Sequence, residues 1–349
     1  MSDIIEMMKY VVNQKCSDLH LSAGEKPIVR KSGELHRLDH PVLSSDDLKS
    51  IVKEITTETQ FHTLEEELEL DFSYAIEGFS RYRINAFYQS RGLSLSLRTL
   101  SYTVPTLEEI HIVNPIFKKM TNYPNGLVLI TGATGSGKST TLAALINEIN
   151  SNPESRKHIL TIEDPIEYVF KSKSCLIQQR EVGKDTKVFQ HALRAALRED
   201  PDIIMVGEMR DLETIRLALT ASETGHLVFA TLHTSSAAHA IDRIIDVFPG
   251  GEKDMIRAML AESLRAVIAQ RLFKTPDGGV HPAHEILMCT GAVRNLIREH
   301  KIAQMYSAMQ TGRQYGMNTM EQNIAELLEN NIILRTADME PGKESDNLE

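Results

Sequence analysis

The sequence predicts an α/β fold with a mainly parallel sheet, preceded by a smaller α+β domain and ending in a mostly helical stretch. Three observations carry this. Beyond residue 107, apolar runs of strand length alternate with segments of helical spacing, the pattern of a parallel sheet covered on both faces. Between residues 69 and 100 the apolar period is instead two, as in antiparallel strands. Pro105, within Tyr102-Thr103-Val104-Pro105-Thr106, separates the two regimes, because proline interrupts a continuing strand or helix. The expected layout is a first domain over 1–100, a linker over 101–107 and a second domain over 108–349, mostly helical from about 290.

In chain order, Ile4, Ile5, Met8, Val11 and Val12 recur at helical spacing and predict an amphipathic first helix. Short strands follow, with residues 17–22 alternating polar and apolar, then 28–30 and 35–38 around Gly33. Ser44-Ser45-Asp46-Asp47 is a helix start leading to Leu48, Ile51, Val52 and Ile55, and the acidic Glu65-Glu66-Glu67-Leu68-Glu69 reads as a solvated helix face. Leu70, Phe72, Tyr74 and Ile76 mark one strand, Arg81 to Tyr88 a second, and Leu93 to Leu100 a third after the Arg91-Gly92 turn. Tyr82, Ile84, Ala86 and Tyr88 share one face, which leaves Arg81 and Arg83 on the other; Arg98 lies opposite the Leu93, Leu95 and Leu97 face. From this pattern alone the arginines suit a solvated surface better than a phosphate-facing group.

In the second domain, strands are expected over 127–131, 158–163, 202–207 and 227–234, with helices after residue 137, near 189–199 and near 211–222. Residues after Ala237 read as largely helical, with Ile241, Ile244, Ile245 and Phe248, then Met255, Met259, Leu260, Leu264 and Val267 at helical intervals. The methionines read as core filler. The polar tail over 343–349 reads as frayed.

Composition narrows the function classes. The formal net charge of −10 argues against a broad electrostatic grip on nucleic acid or on an anionic membrane surface. Three well-separated cysteines, Cys16, Cys175 and Cys289, suggest neither a disulfide framework nor a cysteine zinc site, and fit a reducing cytoplasm. No run approaches the length of a membrane span and the N-terminus has no signal-peptide pattern, so membrane association is expected only through partners.

The chemistry centres on Gly132-Ala133-Thr134-Gly135-Ser136-Gly137-Lys138-Ser139, set between the apolar run 127–130 and the helical Thr140-Thr141-Leu142. Glycines let backbone amides converge on phosphate oxygens, and the new helix adds free N–H groups and the positive end of its dipole. An ordinary glycine-rich connection is the bland alternative, but the complete pattern in strand-to-helix context marks a nucleoside triphosphate site over residues 134–140. Thr134, Gly135, Ser136, Gly137, Lys138, Ser139 and Thr140 are the expected phosphate contacts, with Lys138 reaching the β- and γ-phosphates and Ser139 coordinating Mg²⁺.

Ligands of open α/β sheets gather at the carboxyl ends of the strands. Here those ends carry Glu163, Glu208 and His233. Glu163 suits the activation of an attacking water, Glu208 the place of a Walker-B acid holding Mg²⁺ through water, and His233 a hydrogen bond to the γ-phosphate. Each carboxylate taken singly also suits a helix cap or a partner for a base. His226 starts the strand that ends at His233, remote from the cradle, and suits a structural role at least as well.

Together these residues resemble the secretion and pilus motor ATPases, and among them the pilus retraction motors, over nearly the whole chain. The motifs are the phosphate loop, the Thr161-Ile162-Glu163-Asp164-Pro165-Ile166-Glu167 Asp box, the Val206-Gly207-Glu208-Met209-Arg210-Asp211 Walker B, and a His box from Gly225 to Thr234. Ala292-Val293-Arg294-Asn295-Leu296-Ile297-Arg298-Glu299 resembles the retraction signature, with Val293 where Ile is common; by spacing alone it is a packed amphipathic helix. Ala133 stands where many relatives have proline, which leaves the phosphate chemistry intact.

The resemblance implies a PAS-like N-terminal domain, a RecA-like P-loop ATPase domain, a homo-hexameric ring, and ATP- and Mg²⁺-dependent removal of pilin at the cytoplasmic, inner-membrane base of the pilus. It implies that Glu163 is the catalytic carboxylate, that Glu208 belongs to the Mg²⁺ and water network, and that Arg83 and Arg98 approach phosphates, which reverses the preference from pattern alone. Implied partners are an inner-membrane pilus platform protein and a paralogous retraction ATPase, with no nucleic acid and no direct membrane insertion. Missing cysteine pairs set the chain apart from zinc-holding assembly motors and favour retraction. The rival readings are an accessory retraction ATPase and, against the acidic balance, a RecA-like nucleic-acid motor.

Overall fold

The computed structural model describes residues 3–31, 33–100 and 103–335. The chain divides into two compact units, Met1–Thr103 with Pro165–Val169, and Val104–Asp164 with Phe170–Glu349. Tyr102 of the expected linker and the tail at 343–349 lie outside the described residues.

In the first unit, helix α1 (Asp3–Asn13) precedes strands β1 (Asp18–Ser22), β2 (Ile28–Lys31) and β3 (Glu34–Arg37). Helices α2 (Ser45–Ile55) and α3 (Glu58–Glu67) lead into β4 (Glu69–Ile76), β5 (Ser80–Gln89) and β6 (Gly92–Leu100). The strands form one antiparallel sheet in the order β3-β2-β1-β6-β5-β4. One face is apolar: Leu19, Leu21, Tyr82, Ile84, Ala86, Leu93, Leu95 and Leu97 are buried against Ile4, Met8, Val11, Leu48 and Val52 of α1 and α2. Tyr82 ties α1 to the sheet by donating its hydroxyl to the Met8 carbonyl at 2.9 Å, and burial raises its pKa to about 12. Both later helices start with a capping box, Ser44 with Asp47 and Thr57 with Gln60, which satisfies amides that the first helical turn leaves unpaired. The acidic stretch 65–69 is exposed but not all helical: α3 ends at Glu67, Leu68 takes a left-handed conformation, and β4 begins at Glu69.

The second unit has α4 (Pro115–Met120), then β7 (Gly126–Thr131), α5 (Lys138–Ser151), β8 (His158–Glu163), β9 (Leu176–Glu181), α6 (Phe189–Ala196), β10 (Ile203–Val206), α7 (Leu212–Glu223) and β11 (Leu227–Leu232). There follow α8 (Ala237–Asp246), α9 (Lys253–Ser263), β12 (Leu264–Lys274), β13 (Val280–Met288), α10 (Gly291–Arg298), α11 (Met305–Thr311) and α12 (Met320–Glu329). The sheet order is β13-β12-β7-β11-β10-β8-β9. Every pairing is parallel except the edge pair β12–β13. The predicted α/β class with a mainly parallel sheet is what the chain adopts. β7, β10 and β11 are buried along their whole length, as strands covered on both faces must be.

Two expectations are overturned. Arg81, read with the solvated hairpin arginines, is buried and donates to Ser73 Oγ at 2.8 Å. Residues 264–288, read as helical, form β12 and β13. α9 ends at Ser263 and β12 begins at Leu264 with no glycine or proline between them, so no local breaker marks the change. Ala266, Val267, Ile268 and Ala269 are wholly buried beside β7, and an apolar run buried on both sides carries no period to separate strand from helix.

Candidate active site

β7 ends at Thr131, and the chain turns through residues 132–137 into α5. Gly137 caps that helix at φ 84° with no side-chain cap, so its first amides remain available to an anion. Two glycines are required by space. A Cβ on Gly132 would lie 2.5 Å from both the Gln270 carbonyl oxygen and Ser136 Oγ, and one on Gly137 would lie 2.8 Å from Gln270 Nε2. Lys138 is buried, and its Nζ donates to the carbonyls of Gly132 at 2.7 Å and Ala133 at 2.9 Å. Thr134 and Gly135 are exposed at the loop's outer edge, and Ser139 and Thr140 are half-buried in the first helical turn. Ser136 is buried, and its Oγ has no hydrogen-bond partner among the described residues. A hollow shaped by missing Cβ atoms, an ammonium, an uncapped helix start and an unsatisfied hydroxyl together fit a polyphosphate.

Beside it, β11, β10 and β8 bring their carboxyl ends to the same edge of the sheet. Glu163 closes β8 and is 6% exposed. Its Oε1 accepts from Thr161 Oγ1 at 2.6 Å and from Gln179 Nε2 at 3.1 Å, while Gln179 Oε1 accepts from the Phe170 amide at 2.8 Å. One carboxylate oxygen is therefore held from two sides, which fixes where the other points. Gly207 packs close to this strand: its amide donates to the Ile162 carbonyl at 2.8 Å, and a Cβ there would lie 3.3 Å from Glu163 Cα.

Glu208 follows. Its Oε1 lies 3.2 Å from His233 Nε2, and its Oε2 accepts from Arg210 Nε at 2.8 Å. Arg210 NH1 also lies 3.7 Å from Asp164 Oδ2, so one guanidinium joins the Asp box to the Walker-B segment. At the loop's root, Thr131 Oγ1 lies 2.7 Å from Thr234 Oγ1 and accepts from the Thr234 amide at 2.9 Å, fastening the phosphate loop's strand to the residue after His233. His226 sits at the other end of β11, its Nδ1 3.0 Å from the Ala221 carbonyl. Asp211 caps α7 by accepting from the Thr214 amide at 2.9 Å and its hydroxyl at 2.8 Å.

The structure thus gathers Lys138, Ser139, Glu163, Glu208 and His233 in one unit. Arg83 and Arg98 belong to the other. They lie opposite each other in the β5–β6 ladder, Arg83 NH2 2.6 Å from Asp71 Oδ2 and Arg98 Nε 3.0 Å from Asp18 Oδ1. Sequence reasoning missed Thr131, Thr161, Gln179, Thr234 and Gln270, uncharged residues within strands or just beyond them. The only available signal was position: Thr161 and Thr234 lie within the Asp and His boxes, and Thr131 stands just before the phosphate loop.

Comparison with known proteins identifies the relatives of this chain. Residues 1–333 match the model of the type II/IV secretion system protein family. The chain is 52% identical over 345 residues to the type IV pilus retractation ATPase PilT of Pseudomonas aeruginosa, covering 99% of each. It is 52% identical over 308 residues to a twitching motility protein of Neisseria gonorrhoeae, covering 88% of this chain and 82% of that one. Among solved structures it is similar to the pilus retraction motor PilT with bound ADP, at a TM-score of 0.90 and 43% identity, covering 98% of both chains. The chain belongs to the type II/IV secretion system protein family.

Proposed function

We propose that this chain is an ATPase that powers type IV pilus retraction. The observation that carries the reading is the phosphate-shaped loop at residues 132–139, set beside strand ends bearing Glu163, Glu208 and His233. ATP binds with its phosphates on the amides and side chains of residues 134–140, and Lys138 exchanges loop carbonyls for phosphate oxygens. Mg²⁺ offsets phosphate charge when bound; the Ser139 hydroxyl would hold it directly. Glu208 would reach it through water, because both its carboxylate oxygens already have partners.

Glu163, oriented by Thr161 and Gln179, accepts a proton from the attacking water as oxygen bonds to the γ-phosphorus and the bond to ADP breaks. His233 hydrogen-bonds the γ-phosphate and releases its hold on Glu208 when nucleotide changes. Arg83 and Arg98 supply positive charge to the nucleotide of a neighbouring subunit in a homo-hexameric ring. The ring works in the cytoplasm at the inner-membrane base of the pilus, against a platform protein and with a PilU-like paralogue. Among the described residues no helix is long and apolar enough to cross a membrane.

The test is pilus retraction in cells that lack their own retraction motors. This chain as the sole motor is expected to restore retraction and Lys138→Ala is not. Retraction with Lys138→Ala, or none with the wild-type chain despite normal ATP turnover, overturns the reading.

A further inference from the structure

Gln270 lies in the middle of β12, far along the chain from the phosphate loop, and is 2% exposed. A glutamine is an odd occupant of a buried strand unless every polar atom of its amide is satisfied. Here the partners are specific. Nε2 donates to the Ser136 carbonyl at 2.7 Å; Oε1 accepts from Thr141 Oγ1 at 2.7 Å and faces His284 Nε2 at 3.1 Å. The Ser136 carbonyl can only accept, so the amide orientation is forced. Oε1 must then be the acceptor toward His284, whose Nε2 must carry the hydrogen. Burial, and to a lesser degree His281, push the His284 pKa down to about 3, which keeps that ring neutral.

The two loop-side partners are mechanically distinct. Ser136 belongs to the phosphate loop, whereas Thr141 belongs to the first turn of α5, beyond Lys138 and Ser139. A single planar amide therefore sets the distance between the loop and the helix start that together surround the phosphates. The amide also fills the space beside Gly137, where a Cβ would lie 2.8 Å from Nε2, while the backbone carbonyl of Gln270 closes on Gly132. His284 is itself anchored: its amide donates to Asn323 Oδ1 of α12 at 2.8 Å, its carbonyl accepts from Asn318 Nδ2 at 2.5 Å, and Phe117 packs edge-on against its ring.

We propose that Gln270 is a positioning residue of the nucleotide site, its amide locking the phosphate loop to the first turn of α5 and His284 locking the amide. The inference rests on the reading of residues 132–139 as the nucleotide cradle. Its assigned role is to hold the loop and the helix start in place through Ser136 and Thr141.

The test uses the full chain, a fluorescent ADP analogue to measure Kd, and steady-state ATP hydrolysis to separate KM from kcat. Gln270→Met keeps the volume and removes every hydrogen bond of the amide. Its Kd for ADP and KM for ATP are expected to rise about tenfold, with kcat changed less than about threefold. Thr141→Val keeps the helix and removes one hydroxyl, and is expected to raise both constants about threefold. The double variant is expected to be no weaker than Gln270→Met, because both act through one amide.

Kd and KM within about twofold of wild type in the single variants, or additive losses in the double, overturn the proposal. So does a Gln270→Met protein that loses folded fraction while the remainder binds ADP normally. If Gln270→Met does not fold, Thr141→Val decides. A wild-type chain that binds no ADP analogue defeats the cradle reading itself, an outcome distinct from normal binding that Gln270→Met leaves unchanged.

Discussion

Arg83 and Arg98 face each other directly across the β5–β6 ladder, and each guanidinium is paired with a separate carboxylate, Asp71 and Asp18. Like charges directly opposite each other repel, so the arrangement depends on those two acids. The acids differ in burial. The Arg83 and Asp71 side chains are each 45% exposed, whereas Asp18 is 9% exposed beneath an Arg98 side chain that is 70% exposed. Burial works against the Asp18 charge, but hydrogen bonds from Ser17 and Arg98 and the Arg98 charge outweigh it and hold the carboxyl below its ordinary pKa.

Replacing the two arginines should therefore have unequal structural cost. Arg83→Ala is expected to leave thermal stability within about 1 kcal/mol of wild type, as for exposed ion pairs. Arg98→Ala strands a buried carboxylate and is expected to cost about 1–3 kcal/mol. Both should lower ATP turnover of the assembled protein if the arginines serve a neighbouring nucleotide. Thermal melts beside turnover assays separate the two effects: loss of turnover in Arg83→Ala with an unchanged melt supports that role, and full turnover in both variants removes it.

The cap on α7 gives a pH dependence. Burial alone would raise the Asp211 pKa; hydrogen bonds from the Thr214 amide and hydroxyl and from Gln190 outweigh it and hold the pKa below that of an ordinary aspartate. With the folded pKa below the unfolded one, the stabilisation is present above the unfolded value and is lost as pH falls through the folded value. Asp211→Ala is expected to cost about 1 kcal/mol near neutrality. The gap from wild type should close in acid. Denaturant midpoints measured from neutral pH into acid check this, and a gap that widens in acid contradicts it.

Thr161 supplies a hydroxyl to Glu163 Oε1 from two residues earlier on β8. Thr161→Val keeps the shape of a fully buried site and removes only that hydrogen bond. If Glu163 activates water, kcat is expected to fall about tenfold or more through misplacement of the carboxylate, with nucleotide Kd nearly unchanged. Single-turnover hydrolysis beside a binding titration distinguishes this from general damage. Equal losses in binding and turnover would make Thr161 structural.

The legible parts of this chain were those whose local pattern had a single physical meaning. The phosphate loop announced itself because strand, glycines, lysine and helix are all required in one order. Likewise the β4–β6 pattern was readable from its alternating apolar residues, although Arg81 and Ser94 of the polar set are themselves buried. β12 was not, because burial on both sides erases alternation and no breaker follows α9. The supports of the site were harder still. Gln179 and Gln270 are uncharged, fit no motif, and gain their roles from strands paired by the fold: β9 beside β8, and β12 beside β7. Their hydrogen bonds to Glu163 and Ser136 exist only once the sheet order does.

The central claim is that residues 132–139 form the phosphate-holding half of an ATP-hydrolysing site. Its most direct test is ATP turnover by the purified full chain with Mg²⁺, wild type against Lys138→Ala. Lys138 is buried within the loop and contributes its only ammonium. Turnover by the wild-type chain that disappears in Lys138→Ala, with the fold retained by circular dichroism, is the predicted result. Hydrolysis by Lys138→Ala at the wild-type rate would contradict the account.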